Sequence, residues 1–248
     1  MVGRIVMALF ATALTATALY FGVIRDTGTT AAVGSRAELD VTRQENGPPP
    51  KTFDTGQSAL IAKSTQPGAE LVIRDGKLTF EPNAAGSAGV FYGTPDMQRP
   101  ITKMGASWVF LPRENTVGGA ISLIVSHGAH PSVPRVDPPL PIQLIVTPVS
   151  WNLGVRKDDA SEVSLIAAGN FNPPLAVDGT TTHEVSVLID GSRVNVDLPD
   201  GKKVHVNDAR VAQWEGDFAL FGLYANDGLT DSVGGYQKIW AESGEGAT

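Results

Sequence analysis

The sequence predicts an all-β protein, a two-sheet antiparallel β-sandwich preceded by one N-terminal hydrophobic helix. Three observations point to the sandwich. Beyond residue 50 the apolar residues recur with a period of two, not 3.6, the spacing that turns one face of a strand toward a core. Three Asp-Gly dipeptides, Asp75-Gly76, Asp190-Gly191 and Asp200-Gly201, fall between such runs, and Asp-Gly tolerates the positive φ angles of a tight hairpin turn. No stretch after residue 51 offers ten residues of helical periodicity free of Gly or Pro, in a chain of 248 residues with 27 Gly and 17 Pro.

The first element is the run from Ile5 to Ile24, uncharged throughout and bounded by Arg4 and Arg25-Asp26. At about 1.5 Å per residue a helix of this length matches a bilayer's hydrocarbon thickness of roughly 30 Å. Ala11-Thr12-Ala13 and Ala16-Thr17-Ala18 offer sites for removal as a signal peptide. The apolar run continues past both through Leu19, Tyr20, Phe21, Val23 and Ile24, which favours an uncleaved anchor over residues 1–25 with the bulk of the chain outside. Residues 26–50 are polar and small, end in Pro48-Pro49-Pro50, and read as a flexible extracytoplasmic tether. The sandwich is expected over 51–243 and a disordered tail over 244–248.

Within the sandwich, Leu71 and Ile73 precede the first Asp-Gly, and Leu78 and Phe80 follow it. Val185, Val187 and Ile189 lead to the second; Val194, Val196 and Leu198 return from it, alternating with Arg193, Asn195 and Asp197. These are strands with one solvated face. Trp108–Leu111, Ile121–Val125, Ile142–Val146 and Phe218–Tyr224 are apolar on both faces and read as central strands buried between layers. Twelve to fourteen strands with this many turns imply two packed sheets. The Pro-rich segment His127–Pro141 reads as an excursion at one end.

Composition excludes several functions. With no Cys there are no disulfides, thiolate metal sites or cysteine nucleophiles. The four bases and four acids of residues 1–50 cancel, so the formal charge of −7 belongs to the remainder. A chain without a basic footprint does not track phosphates, so nucleic acid is not an expected partner. Gly-x-Ser-x-Gly and the phosphate-binding glycine loops are also absent. Richness in Ala, Gly and Val with little Lys is the composition of a bacterial chain from a GC-rich genome.

Several features together resemble a known family: the strand leading to Trp151 (Ile142–Leu153), the strand Ser164–Asn172, the meander Glu184–Asp208, and the closing pair Gly216–Asp227 and Gly235–Ser243 with Tyr224 and Trp240. In strand order and aromatic placement this arrangement resembles the concanavalin A-like lectin/glucanase superfamily, the laminin-G-like jelly roll. The resemblance implies a jelly-roll sandwich over about 51–243 and leaves activity open, because this fold carries lectins, hydrolases, lyases and adhesion modules.

Candidate site residues follow. The glucanase branch would place acids as Glu-x-Asp-x-x-Glu on one strand face. Glu215 and Asp217 supply the first two, but Leu220 stands in the third position; the other Glu-x-Asp, Glu38-Leu39-Asp40, falls in the expected tether. Trp214, Glu215 and Asp217 are therefore candidate ligand-binding residues, with no catalytic set. A lectin-type calcium site needs several loop oxygens, and Asn226, Asp227 and Asp231, with Ser232, supply them, with Asp158-Asp159 a weaker pair. His127, His130 and Asp137 fix no zinc geometry, and His183 and His205 stand alone. Trp108 and Trp151 read as core and Trp240 as structural.

The expected protein is thus a membrane-tethered or secreted extracytoplasmic module that binds a glycan or another envelope component without chemistry. A polysaccharide-active hydrolase or lyase, or an assembly partner of envelope proteins, are the alternatives.

Overall fold

In the computed structural model the described residues are 20–21, 35–63, 70–80, 88–95, 97–113, 117–126, 142–156, 163–213, 216–227 and 232–244. They form sixteen strands and two 3-10 turns, with no α-helix. The strands are β1 (Tyr20–Phe21), β2 (Arg36–Asp40), β3 (Leu60–Lys63), β4 (Leu71–Arg74), β5 (Lys77–Phe80), β6 (Ala88–Thr94), β7 (Ile101–Pro112) and β8 (Val117–Ser126). They continue as β9 (Ile142–Val146), β10 (Ser150–Arg156), β11 (Val163–Asn170), β12 (His183–Asp190), β13 (Arg193–Asp197), β14 (Lys203–Asn207), β15 (Phe218–Asp227) and β16 (Ser232–Ser243).

Two eight-stranded sheets result, and their pairings are antiparallel throughout. The first runs β1-β3-β6-β15-β8-β9-β10-β11; the second runs β14-β13-β12-β7-β16-β5-β4, with β2 also on β16. The sandwich predicted from period two is the fold observed. Alternation places Met104, Ala106, Trp108 and Phe110 of β7 opposite Ile121, Leu123 and Val125 of β8 in one core. Trp108 is fully buried and Trp151 nearly so, as their apolar runs predict. One polar bolt crosses this core: the Tyr236 hydroxyl on β16 lies 2.9 Å from the carbonyl oxygens of Ser122 on β8 and Gly222 on β15.

The hairpins show how far the dipeptide signal goes. At the first, both Asp75 (φ 51°) and Gly76 (φ 70°) occupy positive φ between the paired Arg74 and Lys77, a type I′ loop. At the second, Asp190 still pairs with Arg193, and Gly191 alone has positive φ (57°), so the loop is Gly-Ser of type II′. The third Asp-Gly sits in a longer loop closed by Leu198 N–H donating to Lys202 O at 2.8 Å. Gly76→Ala is expected to cost about 1–2 kcal/mol in urea denaturation. A side chain at φ +70° is strained, and its Cβ would come within 3.2 Å of the Thr42 backbone.

The tether boundary needs correction. Residues 35–50 are part of the sandwich: β2 pairs with β16 from Arg36↔Glu242 to Asp40↔Lys238, and Ala37, Leu39 and Val41 are completely buried. The tyrosine hydroxyl of Tyr92 donates to Pro50 O at 3.0 Å, so the triple proline edges the domain. The strand escapes a composition reading because its two core residues, Ala37 and Leu39, alternate with Arg36, Glu38 and Asp40 over only five residues. A five-residue strand with one buried face has this appearance.

The expected N-terminal helix lies outside the described residues except at Tyr20–Phe21, which are extended and paired with Lys63 and Ala62 of β3. Also outside them lie 22–34, the Pro-rich excursion at 127–141 with His127, His130 and Asp137, the pair Asp158-Asp159, and the tail beyond 244. Among the described residues no helix is long and apolar enough to cross a membrane.

Candidate functional site

The outward face of the second sheet forms a polar platform built by register. One row crosses six strands as Glu38, Trp240, Gly105, Ser186, Asp197 and Lys203. The next runs Arg36, Glu242, Lys103, Leu188, Asn195 and His205. At about 4.8 Å per strand the platform is about 24 Å wide. Successive residues of a strand point to opposite faces, so the buried Ile239 and Ala241 fix Trp240 on the outside.

Trp240 is half-buried. Its indole lies over Gly105, where a Cβ would sit 2.5 Å from the ring Cζ2, so glycine is what lets the ring lie flat on the sheet. Arg36 Cζ is 4.9 Å and Lys103 Nζ 5.3 Å from the ring centroid, distances at which the ring quadrupole attracts a cation. The collar of charge is internally paired. Glu38 accepts from Arg36 at 2.6 Å and from Lys238 at 2.7 Å, and Arg36 also meets Glu242. The Lys238 hydrogen bond, with help from Arg36, holds the Glu38 carboxyl below its ordinary pKa. A depressed carboxylate contributes stability that is present above about pH 4.5 and lost as pH falls through the lowered value. It also stays ionised at neutral pH, which suits it to accept hydrogen bonds and not to act as a general acid.

Across β12 to β14 the platform offers hydroxyl, amide, carboxylate and imidazole groups. Lys203 Nζ is 3.2 Å from Asp197 Oδ1, and His205 Nδ1 lies 2.6 Å from Asn195 Oδ1. His183, by contrast, is a core histidine. It is buried beside Trp108 and Phe110 at centroid distances of 5.7 Å, and its Nε2 donates to Ala176 O at 2.9 Å.

Of the residues singled out from sequence, Asp217 is half-buried just before β15. Its carbonyl accepts from Met97 N–H, and the carbonyl of Gly216 accepts from Ile101 N–H, both at 2.8 Å. Ile101 is two residues from Lys103, so this segment enters beside one end of the platform. Trp214 and Glu215 lie outside the described residues. Asn226 and Asp227 close the far end of β15, paired with Gly118 and Val117, while Asp231 lies outside the described residues. Asp217 and the pair Asn226-Asp227 therefore stand at opposite ends of a ten-residue strand, about 30 Å apart. Among the described residues no three His, Asp or Glu side chains are grouped to hold a metal ion.

Sequence reasoning missed Trp240 and its collar. The signal was present in Lys238-Ile239-Trp240-Ala241-Glu242, where period two puts the tryptophan with the charges. Glu38 went unread because its strand was assigned to the tether.

The fold decides the comparison with known proteins. No family model and no curated relative matches the chain. Among solved structures, the Emp47p carbohydrate recognition domain aligns over 88% of this chain and 100% of its own with a TM-score of 0.53 and 12% identity. The VIP36 exoplasmic/lumenal domain in its Ca2+/Man2-bound form covers 86% and 89% at TM-score 0.52 and 12% identity. A native glycosidic hydrolase covers 86% and 97% at 0.52 and 13%. This chain has the concanavalin A-like jelly-roll fold. The concanavalin A-like sandwich described here begins at residue 35, and the likeness extends to architecture, at identities that carry no residue roles across.

Proposed function

We propose that this concanavalin A-like chain is a non-catalytic glycan-binding module that works outside the cytoplasm, delivered there by its N-terminal apolar run. One observation carries the binding reading: a half-exposed indole, Trp240, on a face whose other side chains, the exposed Leu188 apart, are hydrogen-bonding groups. A pyranose has an apolar C–H face that packs against an aromatic ring and hydroxyls that exchange hydrogen bonds with carboxylates, amides and cations. Sites of this kind combine a few placed polar groups with an aromatic anchor. The similar folds named as a carbohydrate recognition domain and as a Man2-bound exoplasmic/lumenal domain support the ligand class. Trp214, Glu215 and Asp217 are the proposed extension of the same site, on the ground that the described Asp217 precedes β15 beside the platform's end.

The hydrolase alternative receives less support, because Leu220 replaces the third acid and is buried, and Glu38 is held ionised by its cations. The test is a glycan array with the full chain and with Trp240→Ala, run in Ca2+ and again with chelator. The expected result is a hit weakened at least tenfold by Trp240→Ala, about 1.4 kcal/mol, with an unchanged melting temperature. A hit that needs Ca2+ and is lost in Asp227→Asn would support a calcium site at Asn226, Asp227 and Asp231. Silence across envelope polysaccharides would transfer the platform to a protein partner.

A further inference from the structure

The carboxylates of the platform are engaged pair by pair. Glu38 accepts from Arg36 and Lys238, and Glu242 is taken by Arg36. Asp40 pairs with Arg43, Asp190 with Arg193, and Asp197 with Lys203. Lys103 is left over. It is exposed, and among the described residues no carboxylate pairs with it, although Glu242 stands directly opposite in the register. The other acid on the outward face of β12, Glu184, stands four residues from Leu188, the register partner of Lys103, a distance of about 13 Å.

The Lys103 ammonium lies against the indole instead, with Nζ 5.3 Å from the Trp240 ring centroid. On its other side is Leu188, 40% exposed. A single cation without a carboxylate thus stands between two apolar surfaces, and ion pairs strengthen where apolar surface displaces water.

We infer that the sugar taken up at Trp240 is a uronic acid, whose carboxylate pairs with Lys103 while its ring packs on the indole. This rests on the glycan reading of the same face and narrows it. The indole is seated on Gly105, where a Cβ would come within 2.5 Å of ring Cζ2. Lys103 is free to give way to a ligand, since its ammonium ends a flexible four-carbon stem and a ring attracts a cation only weakly at an exposed site. The carboxylate of a uronic acid lies at the rim of the pyranose, so packing the sugar on the ring brings that carboxylate within reach of Lys103. A neutral sugar in the same place displaces the ammonium and offers it no charge in return. The formal charge of −7 opposes anions at long range only, because salt screens it beyond about 8 Å at physiological ionic strength.

The test is isothermal titration calorimetry of the full chain with oligogalacturonate, oligomannuronate and the methyl ester of each, which keeps the sugar and removes the charge. One uronate at least is expected to bind about tenfold tighter than its ester, as a charge-assisted contact would give. That preference should vanish in Lys103→Gln and return in Lys103→Arg, which keeps the cation; a merely structural role would weaken acid and ester together. Equal affinity for acid and ester, both lost in Trp240→Ala, would overturn this inference and leave the glycan reading standing. So would a preference for the acid that persists in Lys103→Gln, or a neutral or sulfated array glycan bound at Trp240 with no response to either uronate. Absence of binding both here and on the array would overturn the two readings together.

Discussion

A chain carrying Leu39→Asp is expected not to fold. Leu39 has no exposed surface and sits in the main core with Ala37 and Val41. The substitution removes an apolar side chain there, worth about 2–5 kcal/mol when truncated, and adds a carboxylate where no Lys or Arg is buried among the described residues. Burying an unpaired charge costs several kcal/mol more, which together consumes the roughly 5–15 kcal/mol that holds a domain of this size. The neighbouring Glu38→Gln is the control. Glu38 points outward, with its side chain 24% exposed, and losing its partly solvated pairs should cost no more than about 1 kcal/mol. Far-ultraviolet circular dichroism and urea unfolding distinguish the two. A Leu39→Asp protein with a midpoint near wild type would return residues 35–50 to the status of a tether.

Tyr236→Phe should destabilise the sandwich by about 1–3 kcal/mol without altering its architecture. The ring keeps its place against Phe221, 6.2 Å away in an edge-on arrangement. The hydroxyl, however, is the polar link from β16 to the carbonyls of Ser122 and Gly222, and its loss leaves buried carbonyl oxygens short of a partner. Burial pushes the Tyr236 phenol well above its ordinary value, with the Ser122 carbonyl opposing the shift; burial likewise raises Tyr92. A raised phenol keeps its proton in the folded state while the unfolded chain releases it above about pH 10. The contribution is therefore complete below about pH 10 and declines as pH rises from there. Tyr236→Phe should show a shallower alkaline loss than wild type, with Tyr92 supplying the remainder. Urea midpoints at pH 8 and pH 11 measure both effects, and identical midpoints for the two proteins at pH 8 would remove the bolt from the account.

Much of the fold was legible because one rule, period two, governs both local structure and burial. The alternation around Val185–Ile189 and Val194–Leu198 gave strands and their faces together. The runs apolar on both sides, Ile121–Val125 and Phe218–Tyr224, proved to be strands whose two faces are both buried. Three kinds of information were not legible. Hairpin loops depend on where pairing stops, so Asp190 closes a strand instead of opening a turn. A strand as short as Arg36–Asp40 shows too few periods to stand out from polar surroundings. The platform depends on register between strands far apart in sequence, and register is a tertiary property: nothing in the chain places Glu38 opposite Trp240 before β2 and β16 pair. For the same reason an acidic loop signal drew attention to Trp214–Asp217 and Asn226–Asp231, while the indole with the clearest outward setting was read as structural.

The most direct measurement follows the Trp240 indole N–H by two-dimensional NMR while the full chain is titrated with an oligosaccharide that it binds on the array. Saturable shifts centred on Trp240, Lys103 and the β12–β14 row, abolished by Trp240→Ala, are the predicted result. Saturable shifts elsewhere in the molecule, with that resonance unmoved, would contradict the assignment of the ligand to the second sheet.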